Sequence, residues 1–167
     1  MREAQPDLHR LTPDEVDAVC ALARIIWQAT YPLLISQAQI DAMLAGRYAP
    51  ARIREQMDDP RHAWWVADLD HVPVGFAHAY LENADCKLDK LYVHPDWQHR
   101  GVGGALMREV EAWARTRSAG RLWLQVNRGN ARAIRAYQKY GYGIVASQVF
   151  DIGDGFVMDD HVMEKLV

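Results

Sequence analysis

The sequence predicts a single mixed α/β domain spanning residues 1–167. Three observations carry this. The length of 167 residues suits one core. Apolar residues recur at helical spacing up to Pro60 and then alternate as strands do. From Gly101 onward, helices and strands interleave. With 50% hydrophobic and 25% charged residues, the composition sets aside disorder, collagen and coiled coil. A chain of this size buries about 70% of its unfolded surface, so it needs neither disulfides nor metal to fold.

A short strand is expected near residues 7–11. Thr12-Pro13-Asp14-Glu15 then reads as a helix start, with Thr as N-cap, Pro at the first helical position and Glu three residues on. Val16, Val19, Cys20, Ala23 and Ile26–Trp27 carry that helix to about Ala29. Ser36 caps a second helix through Ile40, Met43 and Leu44, and a third follows Pro50 and stops before Pro60. Segments 62–67 and 72–81 read as antiparallel strands around a turn at 68–71. Segment 87–94 is a third strand, with Leu88, Lys90 and Tyr92 expected on one face and Lys87, Asp89, Leu91 and Val93 on the other. Val102, Leu106, Val110 and Trp113 form one stripe of a helix that ends near Gly120. Strand 121–127, helix 130–140 closed by Gly141, and strands 142–151 and 156–166 complete the chain.

Cys20 and Cys86 form no CxxC pair, which makes a reducing cytoplasm the expected location. The polar start, Met1 to Asp7, is unlike a secretion signal, and residues 25–40 contain too many polar groups for a membrane span. The formal net charge of −3 argues against nucleic acid, but it is unevenly placed. Residues 1–97 carry −6, residues 98–141 carry +7 and residues 142–167 carry −4. Solvated helix faces explain such a block; so does an anion site flanked by segments suited to a cationic partner.

The densest chemistry lies where strand 87–94 gives way to Gln98-His99-Arg100-Gly101-Val102-Gly103-Gly104 and a helix. Glycines at such a corner either serve a tight turn or let backbone approach a ligand. The free N–H groups and dipole of the following helix favour a phosphate group there. A Walker loop would need Gly-Lys-Ser/Thr where Gly104-Ala105-Leu106 stands, and a dinucleotide fingerprint would need glycine at Leu106.

This Q-x-x-G-x-G run resembles the acetyl-CoA pyrophosphate loop of the GNAT superfamily of N-acetyltransferases. A second stretch, Asn127 to Tyr137 followed by Tyr140-Gly141-Tyr142, is similar to that family's N-x-x-A-x-x-x-Y…GF element, with Tyr142 in place of Phe. The resemblance covers nearly the whole chain. It implies a mixed, mostly antiparallel central sheet with a splayed strand pair, flanked by helices. It implies acetyl-CoA as co-substrate, its pantetheine arm held by the backbone from Leu91 through Tyr92 to Val93. The stretch Gln98, His99, Arg100, Gly101, Val102, Gly103 and Gly104 would then hold the pyrophosphate, and Asn130 would bond the pantetheine. Tyr137 would sit near the sulfur and protonate the departing thiolate, unless it is only a packed aromatic beside Ile134.

The family's strand glutamate corresponds here to Lys87, which leaves the general base open between Asp89, Glu82 and water. Either carboxylate also suits a surface pair with Lys87 or Lys90. Trp27 and Tyr31, one helical turn apart, line an acceptor pocket or else pack the core. The seven histidines show no metal-ligand spacing, so no metal is expected, and no serine stands in G-x-S-x-G. The reading is direct acetyl transfer to a primary amine of a small molecule, such as a polyamine. Transfer to protein N-termini or lysines, and non-catalytic acyl-CoA binding, are the alternatives. The expected partners are an amine acceptor and a second copy through the final strands, with no nucleic acid and no membrane.

Overall fold

In the computed structural model, residues 4–167 are described, and the start of the polar leader, Met1–Glu3, lies outside them. At Thr12 the backbone N–H and hydroxyl donate to the Glu15 carboxylate at 2.9 and 2.8 Å. The expected helix therefore opens as a 3-10 turn, Pro13–Glu15, before α1 (Val16–Thr30). Ser36 accepts from the Gln39 N–H and starts α2 (Gln37–Arg47), while Pro50 opens α3 (Pro50–Asp58). These three helices turn their apolar faces to one side of the sheet.

That sheet contains β1 (Asp7–Arg10), β2 (His62–Leu69), β3 (Val72–Glu82), β4 (Asp85–Val93), β5 (Arg121–Asn127), β6 (Gly143–Gly153) and β7 (Phe156–Leu166), in the order β1-β2-β3-β4-β5-β7-β6. Every pairing is antiparallel except β4 with β5. Helices α4 (Val102–Thr116) and α5 (Ala131–Lys139) follow β4 and β5. Fold class and element order match the reading from sequence.

Two cores result, one on each face. Val16, Ile26, Trp27, Ile40, Ile53 and Phe76 fill the layer under α1 to α3. Leu88, Leu106, Val110, Leu122, Leu124 and Met163 fill the layer under α4. Each such side chain, fully removed from water, contributes about 1.5–3 kcal/mol before entropy is counted.

One local feature overturns an expectation. Strand β4 pairs Leu88 with Ala79 but Lys90 with His78, so Asp89 is an extra residue in a β-bulge. The simple alternation over 87–94 breaks there. Leu88 joins the α4-side core, whereas Tyr92 packs into the α1-side core and Lys90 lies over the Trp64 and Tyr48 rings of that same layer.

Candidate active site

Between β4 and β5 only two pairs remain in register, Cys86 with Leu122 and Lys87 with Trp123. Beyond them the strands part, and the rest of each strand loses its partner on that side. His94 N–H bonds Val74 O across to β3. Strand alternation therefore turns Tyr92 and Lys90 toward β3 and leaves the backbone of Leu91 and Val93 facing the gap. Tyr92, expected with them, does not share the gap. Its backbone faces β3 and its hydroxyl bonds Tyr31 at 2.9 Å.

At the open end of the gap the chain runs through a 3-10 turn, Pro95–Trp97, into the glycine loop. His99 and Gly101 sit at φ 62° and 83°, a left-handed region that glycine adopts freely and histidine does not. Gly101 precedes α4 without any side-chain cap, so the first N–H groups of that helix have no partner from its own turn. Unsatisfied amides at a helix start, beside backbone free of side chains, are what a phosphate needs. A β-carbon at Gly103 would stand 3.4 Å from the Tyr140 hydroxyl, so the two glycine readings coexist: close packing behind the loop, open backbone in front.

Gln98 braces this corner. Its amide donates to Val93 O at 3.2 Å and its Oε1 accepts from Arg132 at 2.9 Å, tying β4 to α5. Asn130 caps α5 by accepting from the Ala133 N–H. The Tyr137 ring packs edge-on to Tyr142 at 5.9 Å, beside the α4-side core, and burial pushes its hydroxyl above the ordinary range. A phenol kept protonated can give a proton to a thiolate.

The sheet face under α1 and α2 carries the charged groups. Asp89, on the bulge, has its Oδ2 at 2.6 Å from Lys90, 3.1 Å from Arg47 and 3.3 Å from His78, and its Oδ1 at 3.6 Å from Lys87. Burial alone would raise its pKa, but Lys90, Arg47 and His78 together hold it well below the usual carboxylate range. So firmly held a carboxylate is a weak base. His78 continues to His62 at 2.9 Å, and burial keeps the His78 imidazole neutral. A cavity of about 200 Å³ opens beside this cluster, lined also by Arg52, Gln56 and Tyr80. Glu82 lies elsewhere, exposed at the β3–β4 turn beyond the end where the strands stay paired.

Trp27 is fully buried, with its indole N–H on the Tyr48 hydroxyl, and serves the core and not an acceptor pocket. The Tyr31 ring lies tilted against it, with centroids 4.4 Å apart, and its hydroxyl reaches Tyr92. The structure adds a residue the site reading from sequence left out. Asp160 of β7 is 3% exposed, and its Oδ1 has no hydrogen-bond partner. Burial raises its pKa to about 6. The available signal was its phase: Met158, Asp160 and Val162 share one face of β7, and Met158 packs into the α1-side core.

Asp7, His9 and Asp68, distant in sequence, come within 4.8 Å of one another at the far edge of the sheet, a cluster that spacing alone did not reveal. His9 bonds Asp7 and Glu15 there, three strands from the gap.

Residues 24–142 match the acetyltransferase (GNAT) family. The chain is 32% identical over 154 residues to an uncharacterized N-acetyltransferase of Mycobacterium bovis, covering 92% of this chain and 99% of that one. It is 20% identical over 157 residues to a spermidine N(1)-acetyltransferase of Thermoplasma acidophilum, covering 92% and 95%. Among solved structures, the PaiA N-acetyltransferase of T. acidophilum in complex with coenzyme A superposes with a TM-score of 0.85 at 21% identity, covering 98% of this chain and all of that one.

Proposed function

The chain belongs to the acetyltransferase (GNAT) family and is an N-acetyltransferase that uses acetyl-CoA; from that premise we propose that it moves the acetyl group directly to a primary amine of a small molecule. The observation that carries this reading is the parted β4–β5 pair, with backbone that β5 leaves unpaired on one flank, a glycine loop at its mouth and a protonated tyrosine behind it. In this reading the Leu91 and Val93 backbone holds the pantetheine arm as an added strand would be held. The amides of 99–104 take the pyrophosphate. Asn130 keeps its amide N–H groups for the pantetheine while its oxygen caps α5. Gln98 keeps the two flanks at a fixed spacing.

The acceptor enters on the face under α1 and α2. There its amine attacks the thioester carbonyl, and Tyr137 protonates the sulfur that leaves. Glu82 is set at the closed end, and Asp89 is bound to three cationic or donor groups, so neither is well made to remove the amine proton. Asp89 instead fixes Arg47 and Lys90 beside the pocket. A polyamine is the favoured acceptor class, supported by the acidic β6–β7 hairpin with Asp151, Asp154, Asp159 and Asp160 and by the likeness to the T. acidophilum spermidine enzyme. Among the described residues no helix is long and apolar enough to cross a membrane.

A thiol-release assay with acetyl-CoA over a panel of primary amines, polyamines and N-terminal peptides tests the reading. Turnover with the small amines is expected. CoA binding without turnover on any amine would overturn it, and preference for peptides would move the acceptor to proteins.

A further inference from the structure

We propose that Asp160 binds the acceptor's ammonium group and takes its proton, an inference that rests on the transfer reading above. A carboxylate in the inward phase of a strand is costly unless something meets it, because a buried charge without a partner loses its hydration. The two carboxylates first weighed for the base are otherwise engaged: Asp89 is spent on Arg47, Lys90 and His78, and Glu82 stands in solvent. Among the carboxylates of the described residues, Asp160 alone combines near-complete burial with an oxygen that no described protein group satisfies.

Its placement suits the role. Asp160 pairs with Asn127 of β5, at the end of the strand that parts from β4. Helix α2 reaches over the start of β7, where Gln39 donates to Val157 O at 2.8 Å, so Asp160 lies under the acceptor-side layer. The ionisable groups facing it are Arg47 from α2, Lys87 and Tyr92 from β4, and Asp159 beside it on β7. β5 and β6 present Asn127 and Gln148 in register, neither of which titrates. Burial outweighs Arg47 and Lys87 and leaves the carboxyl titrating at about 6, suited to accept a proton near neutrality.

The step balances. The ammonium gives one proton to Asp160, and the free amine attacks the thioester carbon to form the C–N bond. Collapse breaks the C–S bond, and the thiolate takes a proton from Tyr137. The Tyr137 phenolate recovers one from the new amide nitrogen, and Asp160 returns its proton to water.

Two measurements on the full chain test this. In protein labelled with ¹³C-aspartate, the Asp160 carboxyl resonance should titrate near pH 6 and move when spermidine is added. Asp160→Asn should lower kcat/KM for spermidine at least 100-fold and remove the acidic limb of the pH profile. Its acetyl-CoA affinity by calorimetry should stay within twofold of wild type, and Asp160→Glu should recover part of the activity. Turnover of Asp160→Asn within threefold of wild type, with the limb intact, would overturn the assignment. A wild-type protein that acetylates no amine overturns the transfer reading alone; Asp160 is then judged on its resonance, and indifference to spermidine overturns it.

Discussion

Asp160→Asn should stabilise the folded protein at pH 8 while it impairs the reaction. The carboxyl titrates at about 6 in the fold against an ordinary 3.8. The folded state therefore binds the proton more tightly than the unfolded one, and stability falls as pH rises from about 4 through about 6, staying low above it. A gap of about two pKa units corresponds to about 3 kcal/mol at 1.36 kcal/mol per unit. The asparagine amide, also buried, gives back about 1 kcal/mol for its own lost hydration. A net gain of about 2 kcal/mol should raise Tm by about 4–8 °C for a chain of this length. Near pH 4 the carboxyl is protonated in the fold and partly so in the unfolded chain, and the gain should shrink below about 1 kcal/mol. Circular-dichroism melts of wild type and variant at pH 4 and pH 8 give the comparison. A variant that melts lower at pH 8, or by an amount independent of pH, would refute the claim that an unmet charge sits at this position.

Asp89→Asn should act in the opposite direction. It leaves the buried Lys90 and the partly exposed Arg47 without their counter-charge, a loss of about 3 kcal/mol in denaturant melts, the low end for a buried pair. Because the folded pKa of Asp89 is depressed, its contribution is present above the unfolded value and is lost as pH falls toward the folded one. Melts that show an equal loss at pH 3 and pH 7 would contradict this. Tyr137→Phe should lower turnover by about 10²-fold or more, as removal of a general acid does, with acetyl-CoA affinity by calorimetry nearly unchanged. Gly101→Ala meets no atom within 4 Å, so its cost should be backbone strain alone. That strain is about 1 kcal/mol at φ 83°, and acetyl-CoA affinity should fall with it. A variant of wild-type stability would show that the loop relaxes freely.

Element order, the glycine corner before α4 and the place of Tyr137 on α5 were legible because each depends on local signals: apolar period, Gly and Pro at corners, and a motif held in register. The charged cluster around Asp89 was not, since Arg47, His78 and Asp89 belong to α2, β3 and β4 and meet only through sheet register. Trp27 shows the reverse limit. One turn from Tyr31, its spacing fitted both a pocket wall and a core, and its complete burial, with the Tyr48 hydroxyl on its indole, decides between them. Asp160 was hidden because an acidic residue in a strand reads as surface until its neighbours Met158 and Val162 fix which way that strand faces.

The bulge at Asp89 also gives β4 a reading frame. A strand repeats every two residues, and one additional residue shifts everything after it by half a period. Pulling the bulge straight without removing a residue would carry the earlier alternation to the end of the strand. Leu91 and Val93 would then swing among the aromatics under α1, Tyr92 would turn toward α4, and the amides facing the gap would turn to β3. Removing Asp89 itself would leave Lys90, Leu91, Tyr92 and Val93 in their present phase, because Leu88 and Lys90 already stand opposite the consecutive Ala79 and His78. The one unpaired position is thus what lets Leu88 and Tyr92, four residues apart, serve opposite layers of the molecule.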